Sequence, residues 1–127
     1  MSAATDYTEE FLLKHSLGMA SLSAPATTYF AVHTATPGET GANNEASGGS
    51  YARVAITWTW NSGAGKAENS AQINVTGLPS GTYTHFSIKD AASGGNTLYH
   101  GAFASSQSIV SPQTLAVSAG DLEIGLA

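Results

Sequence analysis

From residue 28 onward apolar and polar positions alternate with a period of two, in short runs separated by turn residues. Thr28 to Thr34 sets Phe30 and Val32 on one face against Tyr29, Ala31 and His33 on the other. Ala52 to Trp60 carries the strongest pattern, with Val54, Ile56, Trp58 and Trp60 on one side and Arg53, Ala55, Thr57 and Thr59 on the other. Shorter runs follow at 72–76, 83–90, 97–103, 108–110, 114–117 and 122–126. Before all of these, residues 6–17 read as one helix: Asp6 is placed to cap it, Glu9 stands three residues on, and Gly18 offers a left-handed stop. Tyr7 and Phe11 share a face, Leu13 and Leu17 form a second row four apart, and Leu12 lies between them. The pattern predicts an antiparallel β-sandwich of seven or eight strands, jelly-roll or Ig-like, over residues 25–127, preceded by an N-terminal helical arm over residues 1–24. A terminal helix with so wide an apolar surface has to dock, on its own sheet or on a neighbouring subunit.

Breakers separate the runs. Residues 61–65, 77–81 and 91–96 are tight connections, whereas Thr36 to Ser50 is a fifteen-residue polar loop, long enough to expect function or assembly of it. Within that loop Glu39, Asn43, Asn44 and Glu45 are candidate assembly contacts, together with Tyr7, Phe11, Leu12, Leu13 and Leu17 of the helix. The expected core aromatics are Phe30, Trp58, Trp60 and Phe86.

Composition narrows the function. At 127 residues there is room for one domain. Leu, Ile, Val and Phe together number 23, while Ala, Ser, Thr and Gly number 65, which suits strands and turns better than helices. Net charge is −5 and there are four basic residues, Lys14, Arg53, Lys66 and Lys89, too scattered to neutralise a run of phosphates or hold an anionic membrane. Nucleic acid and membrane are therefore not expected partners. Without cysteine, packing or association has to stabilise the domain. Acids precede the short N-terminal apolar stretch, so no secretory leader is expected, and no stretch approaches the length of a membrane span.

Candidate chemistry is sparse. His15, His33, His85 and His100 lack metal-site spacing, and Glu39, Glu45, Asp90, Asp121 and Glu123 fall in or beside loops, where acids are normally solvated. No G-x-S-x-G elbow supports a serine nucleophile, and the two Ser-Gly-Gly runs precede no helix that would cradle a phosphate. No enzyme, cofactor or metal is expected. Trp58 and Trp60 alternate with threonines, which reads as an inner layer; the other reading is a platform for a sugar ring or a partner.

The succession FLLKHSLG (11–18), APATTYFAVHTATPGETG (24–41), SGGSYAR (47–53), GLPSGTYTHFSIKDAASGGNTLYHGA (77–102) and SAGDLEI (118–124) resembles a family of small tailed-bacteriophage virion proteins, usually labelled tail-fibre proteins. The resemblance implies a non-enzymatic structural protein on the particle exterior, made in the bacterial cytoplasm and partnered with major capsid or tail proteins. Fibres gain length from repeats or trimeric coils, and this chain has neither, which favours a capsid decoration protein. A tail fibre or tail-tip module is the alternative, and a glycan-binding receptor module a further one. Association into a closed homo-oligomer, most readily a trimer, is expected.

Overall fold

The computed structural model describes residues 2–126. In chain order its elements are β1 (Ser2–Ala4), α1 (Asp6–Ser16), β2 (Thr28–His33), β3 (Val54–Ile56), β4 (Trp58–Asn61), β5 (Lys66–Asn69), β6 (Ile73–Val75), β7 (Gly81–Lys89), β8 (Thr97–Ile109), β9 (Leu115–Val117) and β10 (Glu123–Ile124). All pairings are antiparallel. A five-stranded sheet runs β1-β8-β7-β2-β3, and a three-stranded sheet (β10-β5-β4) and a two-stranded one (β6-β9) stand opposite it. The protein is an all-β sandwich with one short N-terminal helix.

Register decides which side chains meet. Phe30 lies opposite Val54 and Ile88, Val32 opposite Phe86, Thr28 opposite Ile56, and Ile88 opposite Tyr99, so these side chains share the inner face of the large sheet. They pack on Ile73, Val75, Leu115, Leu122 and Ile124 from the smaller sheets. Phe30, Phe86 and Phe103 form the centre, with ring centroids 5.8 to 6.4 Å apart. Phe103, two residues beyond Gly101 on the inner face, joins this cluster at the start of a bulge in which Thr84 alone on β7 faces residues 103–106 of β8.

The strand set differs from the sequence expectation in three ways. The run 52–60 is two strands, broken at Thr57, where the chain leaves the large sheet and enters the small one. Conversely, the runs at 97–103 and 108–110 are one strand, joined through the bulge. β1 and β5 (SAA and KAEN) carry no alternating pattern and owe their conformation to pairing with β8 and β4.

The helix cap also moves. Thr5, not Asp6, is the N-cap; its hydroxyl accepts from the Thr8 amide at 3.3 Å and donates to the Thr97 carbonyl at 2.5 Å. A threonine at this point serves the helix and the sheet together, whereas Asp6 would carry a charge into a buried site. Gly18 does end the helix, at φ 71°.

At the far end, Asn69 ties the small sheet to the C-terminal turn. Its amide donates to the Ala71 and Ser118 carbonyls at 2.9 and 3.0 Å, and its side-chain oxygen accepts from the Leu122 amide at 3.0 Å. Removing a side chain so fully bonded strands the buried Leu122 amide and takes a donor from two partly buried carbonyls. Asn69→Ala is therefore expected to lower unfolding free energy by about 2–4 kcal/mol in urea titrations, while Asn74→Ala, exposed on β6, stays within about 0.5 kcal/mol of wild type.

Candidate functional site

The inner face of the small sheet builds a cleft. Ala67 lies opposite Trp60 on one side and Ile124 on the other, and Trp58 lies opposite Asn69, so these residues face the large sheet together. At the Trp58 end the sheets close: the indole Nε1 donates to the Thr28 hydroxyl at 2.7 Å, and Ile56 is buried. Toward Trp60 they part, leaving a cleft of about 330 Å³ bounded by Trp58, Trp60, Ile88, Tyr99, Ile124 and Leu126. Trp60 and Leu126 form its lips, 67% and 70% exposed. Burial raises the Tyr99 phenol above its usual range.

This corrects the expectation that Trp60 is core. Alternation assigns it the right face, but the distance between sheets decides burial, and the sheets diverge there. Of the other expected core aromatics, Phe30 and Phe86 are buried and Trp58 is partly so.

The helix divides along its length. Thr8 is buried, Phe11 and Leu12 are half-buried beside Leu98 and Tyr99, and Tyr7 stacks loosely on Phe11 with centroids 6.2 Å apart. Beyond them Leu13 and Leu17 are 59% and 68% exposed. The first turns dock on the domain's own sheet, and the last turn leaves its apolar row in water.

The long loop is not a free solvated segment. It covers the outer face of the large sheet, where Ala31, His33, Ser87 and Lys89 are buried. Glu45 pairs bidentately with Arg53, at 2.8 and 2.9 Å, and accepts from the Tyr51 hydroxyl at 2.9 Å. Burial pushes the Glu45 carboxyl upward, but the bonds from Arg53 and Tyr51 outweigh it and hold the group below its usual range. Arg53 also donates to the Ala91 and Gly94 carbonyls, so one side chain pins two loops. Further along, Lys89 Nζ donates to the Gly41 carbonyl at 2.9 Å and to the Thr97 hydroxyl at 2.6 Å. Gly41 sits at φ 70° against Thr97, with no room for a side chain.

Of the loop residues expected to make assembly contacts, Asn44 and Glu45 bond internally through their side chains, whereas Glu39 and Asn43 are tied only by their carbonyls and are exposed. The Glu39 carbonyl accepts from the Asp6 amide at 3.1 Å, the Asn43 carbonyl accepts from His33 at 2.7 Å, and Asn44, at φ 63°, donates to the Thr36 carbonyl at 2.9 Å. Glu45 is not a solvated loop acid: both its oxygens are spent. Sequence reading missed Tyr51, Arg53, Ser87 and Lys89 as a group. The signal was scarcity, since two of only four basic residues stand at the ends of apolar strands.

The histidines are dispersed in role. His33 and His85 are direct cross-strand neighbours and His100 lies opposite Ser87, yet no group of metal-ligating residues forms among the described residues. His33 uses both ring nitrogens: Nδ1–H donates to the Asn43 carbonyl, which leaves Nε2 to accept from the Ser87 hydroxyl at 2.7 Å. Ser87 is fully buried, so no substrate reaches this serine–histidine pair. Burial, above all, pushes the His33 pKa down to about 4, against the Asn43 bond that favours the charged form.

A family model described as "Podophage GP4 fiber I protein gp80" matches residues 3–125, and the chain belongs to that family. It is a virion component, a structural protein of phage-fibre type. No curated protein matches the chain. The family description gives no support to the expectation of a capsid decoration protein and fits the tail alternative.

Two outcomes follow from this geometry. Because the unfolded chain takes up a proton on His33 near pH 6.5 and the folded one only near 4, its contribution is complete above 6.5 and is lost as pH falls through about 4. The depressed Glu45 carboxyl acts in the same direction at lower pH. Urea titrations from pH 8 to 3 are expected to show stability falling between 6.5 and 4, with His33→Gln flattening that slope. Second, Trp58→Ala should cost about 2–3 kcal/mol, short of a fully buried aromatic, and Trp60→Ala less than about 1 kcal/mol.

Proposed function

We propose that the chain is a non-catalytic structural module of a podophage tail fibre, displayed on the particle exterior and held there by contacts with other virion proteins. The observation that carries this reading is the family match over residues 3–125. The geometry supports it. Glu45, Tyr51 and Arg53 are consumed in holding the long loop, and His33 and Ser87 are sealed from solvent. What the surface offers instead is apolar: the last helical turn and the cleft between sheets. Exposed apolar groups of this kind mark places where one protein rests on another.

A glycan site fits less well. Sugar recognition pairs an aromatic platform with several hydrogen-bonding groups around it, and in this cleft the Thr28 hydroxyl and the Trp58 indole are committed to each other, which leaves Tyr99 and Trp60 as the side chains with a polar group to offer. The apolar lining suits aliphatic or aromatic side chains of a protein partner.

Labelling of intact particles with an antibody or a gold-binding tag, together with quantitative mass spectrometry against the major capsid protein, tests the address. The expected result is label at the tail and a copy number far below that of the capsid protein. Dense label over the shell would overturn the tail reading, and absence of the chain from purified particles would overturn the structural one.

A further inference from the structure

We propose that the free edge of β4 is a self-association surface, on which a second copy of this chain pairs antiparallel about a two-fold axis. The pairing does not depend on where on the particle the chain sits.

Hydrogen-bond phase leaves the outer edge of β4 unpaired. Thr57 and Ser70 stand opposite each other, one position before the Trp58–Asn69 pair, and the Ser70 amide donates to the Thr57 carbonyl at 2.9 Å. In an antiparallel ladder, bonded and non-bonded pairs alternate. Thr59–Glu68 and Asn61–Lys66 are therefore bonded pairs, and Trp58–Asn69 and Trp60–Ala67 are not. The amides and carbonyls of Trp58 and Trp60 consequently point away from β5. β4 is the last strand of its sheet, and among the described residues no group bonds to those outward atoms.

This edge lacks the usual protections. Edge strands are normally blunted by charge, proline or bulges. β4 has none of these, reading Trp-Thr-Trp-Asn. By contrast β10 carries Glu123, paired with Lys66, and the outer edge of β8 beyond its pairing with β1 is distorted by the bulge at 103–106. The acid nearest β4 on its outward face, Glu68, is one strand in and accepts from the Asn61 amide at 3.0 Å, so two copies bring no like charges face to face.

The occupant and register follow from the strand itself. Two β4 strands related by a two-fold axis through Thr59 place Trp58 of one opposite Trp60 of the other, and the outward groups of these residues exchange four hydrogen bonds. Directly opposite residues share a face, so each Trp60, two-thirds exposed in one copy, comes to lie against the second copy's Trp58 at the mouth of the cleft. The two three-stranded sheets become one of six. Isologous contact of this kind closes on itself, as a dimer interface requires.

The register makes a sharp test, because Thr59 faces its own symmetry mate as a non-bonded pair, at about 4.5 Å between Cα atoms, a separation that a disulfide spans. The chain has no cysteine, so any single introduced one reports alone. Under mild oxidation Thr59→Cys is expected to form a covalent dimer about tenfold faster than Asn61→Cys, whose symmetry mate is too distant. Sedimentation of the wild-type chain should show a dimer, and Trp60→Lys should shift it to monomer with the circular dichroism spectrum of the folded chain retained. A wild-type chain monomeric at every concentration, or cross-linking at position 59 no faster than at 61, would overturn the proposal. So would an oligomer unaffected by Trp60→Lys.

Discussion

A chain with 23 bulky aliphatic and phenylalanine residues among 127 cannot fill both faces of a five-stranded sheet with apolar side chains, and that shortage governs the architecture. The apolar supply goes to one face, where Phe30, Phe86, Phe103 and Ile88 meet Ile73, Val75, Leu115 and Leu122. The other face is covered by a polar loop, and polar burial is stable only when its groups are bonded. Glu45 with Arg53, Lys89 with Gly41 and Thr97, and His33 with Ser87 and Asn43 meet that requirement. Geometry thus does on one face what area does on the other.

Thr57 marks where the same shortage appears at the surface. A single run of alternating residues serves two sheets, and the alternation survives the corner, so Ile56, Trp58 and Trp60 all look inward. With few large side chains to bridge the gap, the sheets hold together at the Trp58–Thr28 bond and separate at Trp60. The cleft is the unfilled end of the sandwich. Its lining needs no special function to explain its residues, but its openness leaves two large apolar side chains, Trp60 and Leu126, in water.

Period and punctuation made the sandwich, the helix and its glycine stop legible in the sequence, because side-chain alternation is a local property. What remained hidden was set by neighbours in space. KAEN at β5 has no pattern of its own; it is a strand because Trp58–Asn61 pairs with it. Thr5 outcompetes Asp6 as the cap because Thr97 and Leu98, more than ninety residues on, close over the site. Trp60 has the periodicity of a core residue and lacks only the opposing wall. Likewise Glu45 looked like a loop acid since its partner Arg53 lies beyond a stretch of glycine and serine whose path no local rule supplies.

A lone domain gains nothing by leaving Leu13, Leu17, Trp60 and Leu126 exposed. A small β-domain without disulfides holds a modest stability margin, and one that works in a particle adds to it through contacts with its neighbours, since whatever binds only the folded state stabilises it by mass action. Apart from Val110 beyond the end of β8, the most exposed large apolar groups lie at two separate places, the end of the helix and the cleft with its β4 edge. Two distinct surfaces are the minimum for a subunit that must hold a copy of itself and also hold something else. With a second copy seated on the β4 edge as proposed, the last helical turn stays free for another virion protein.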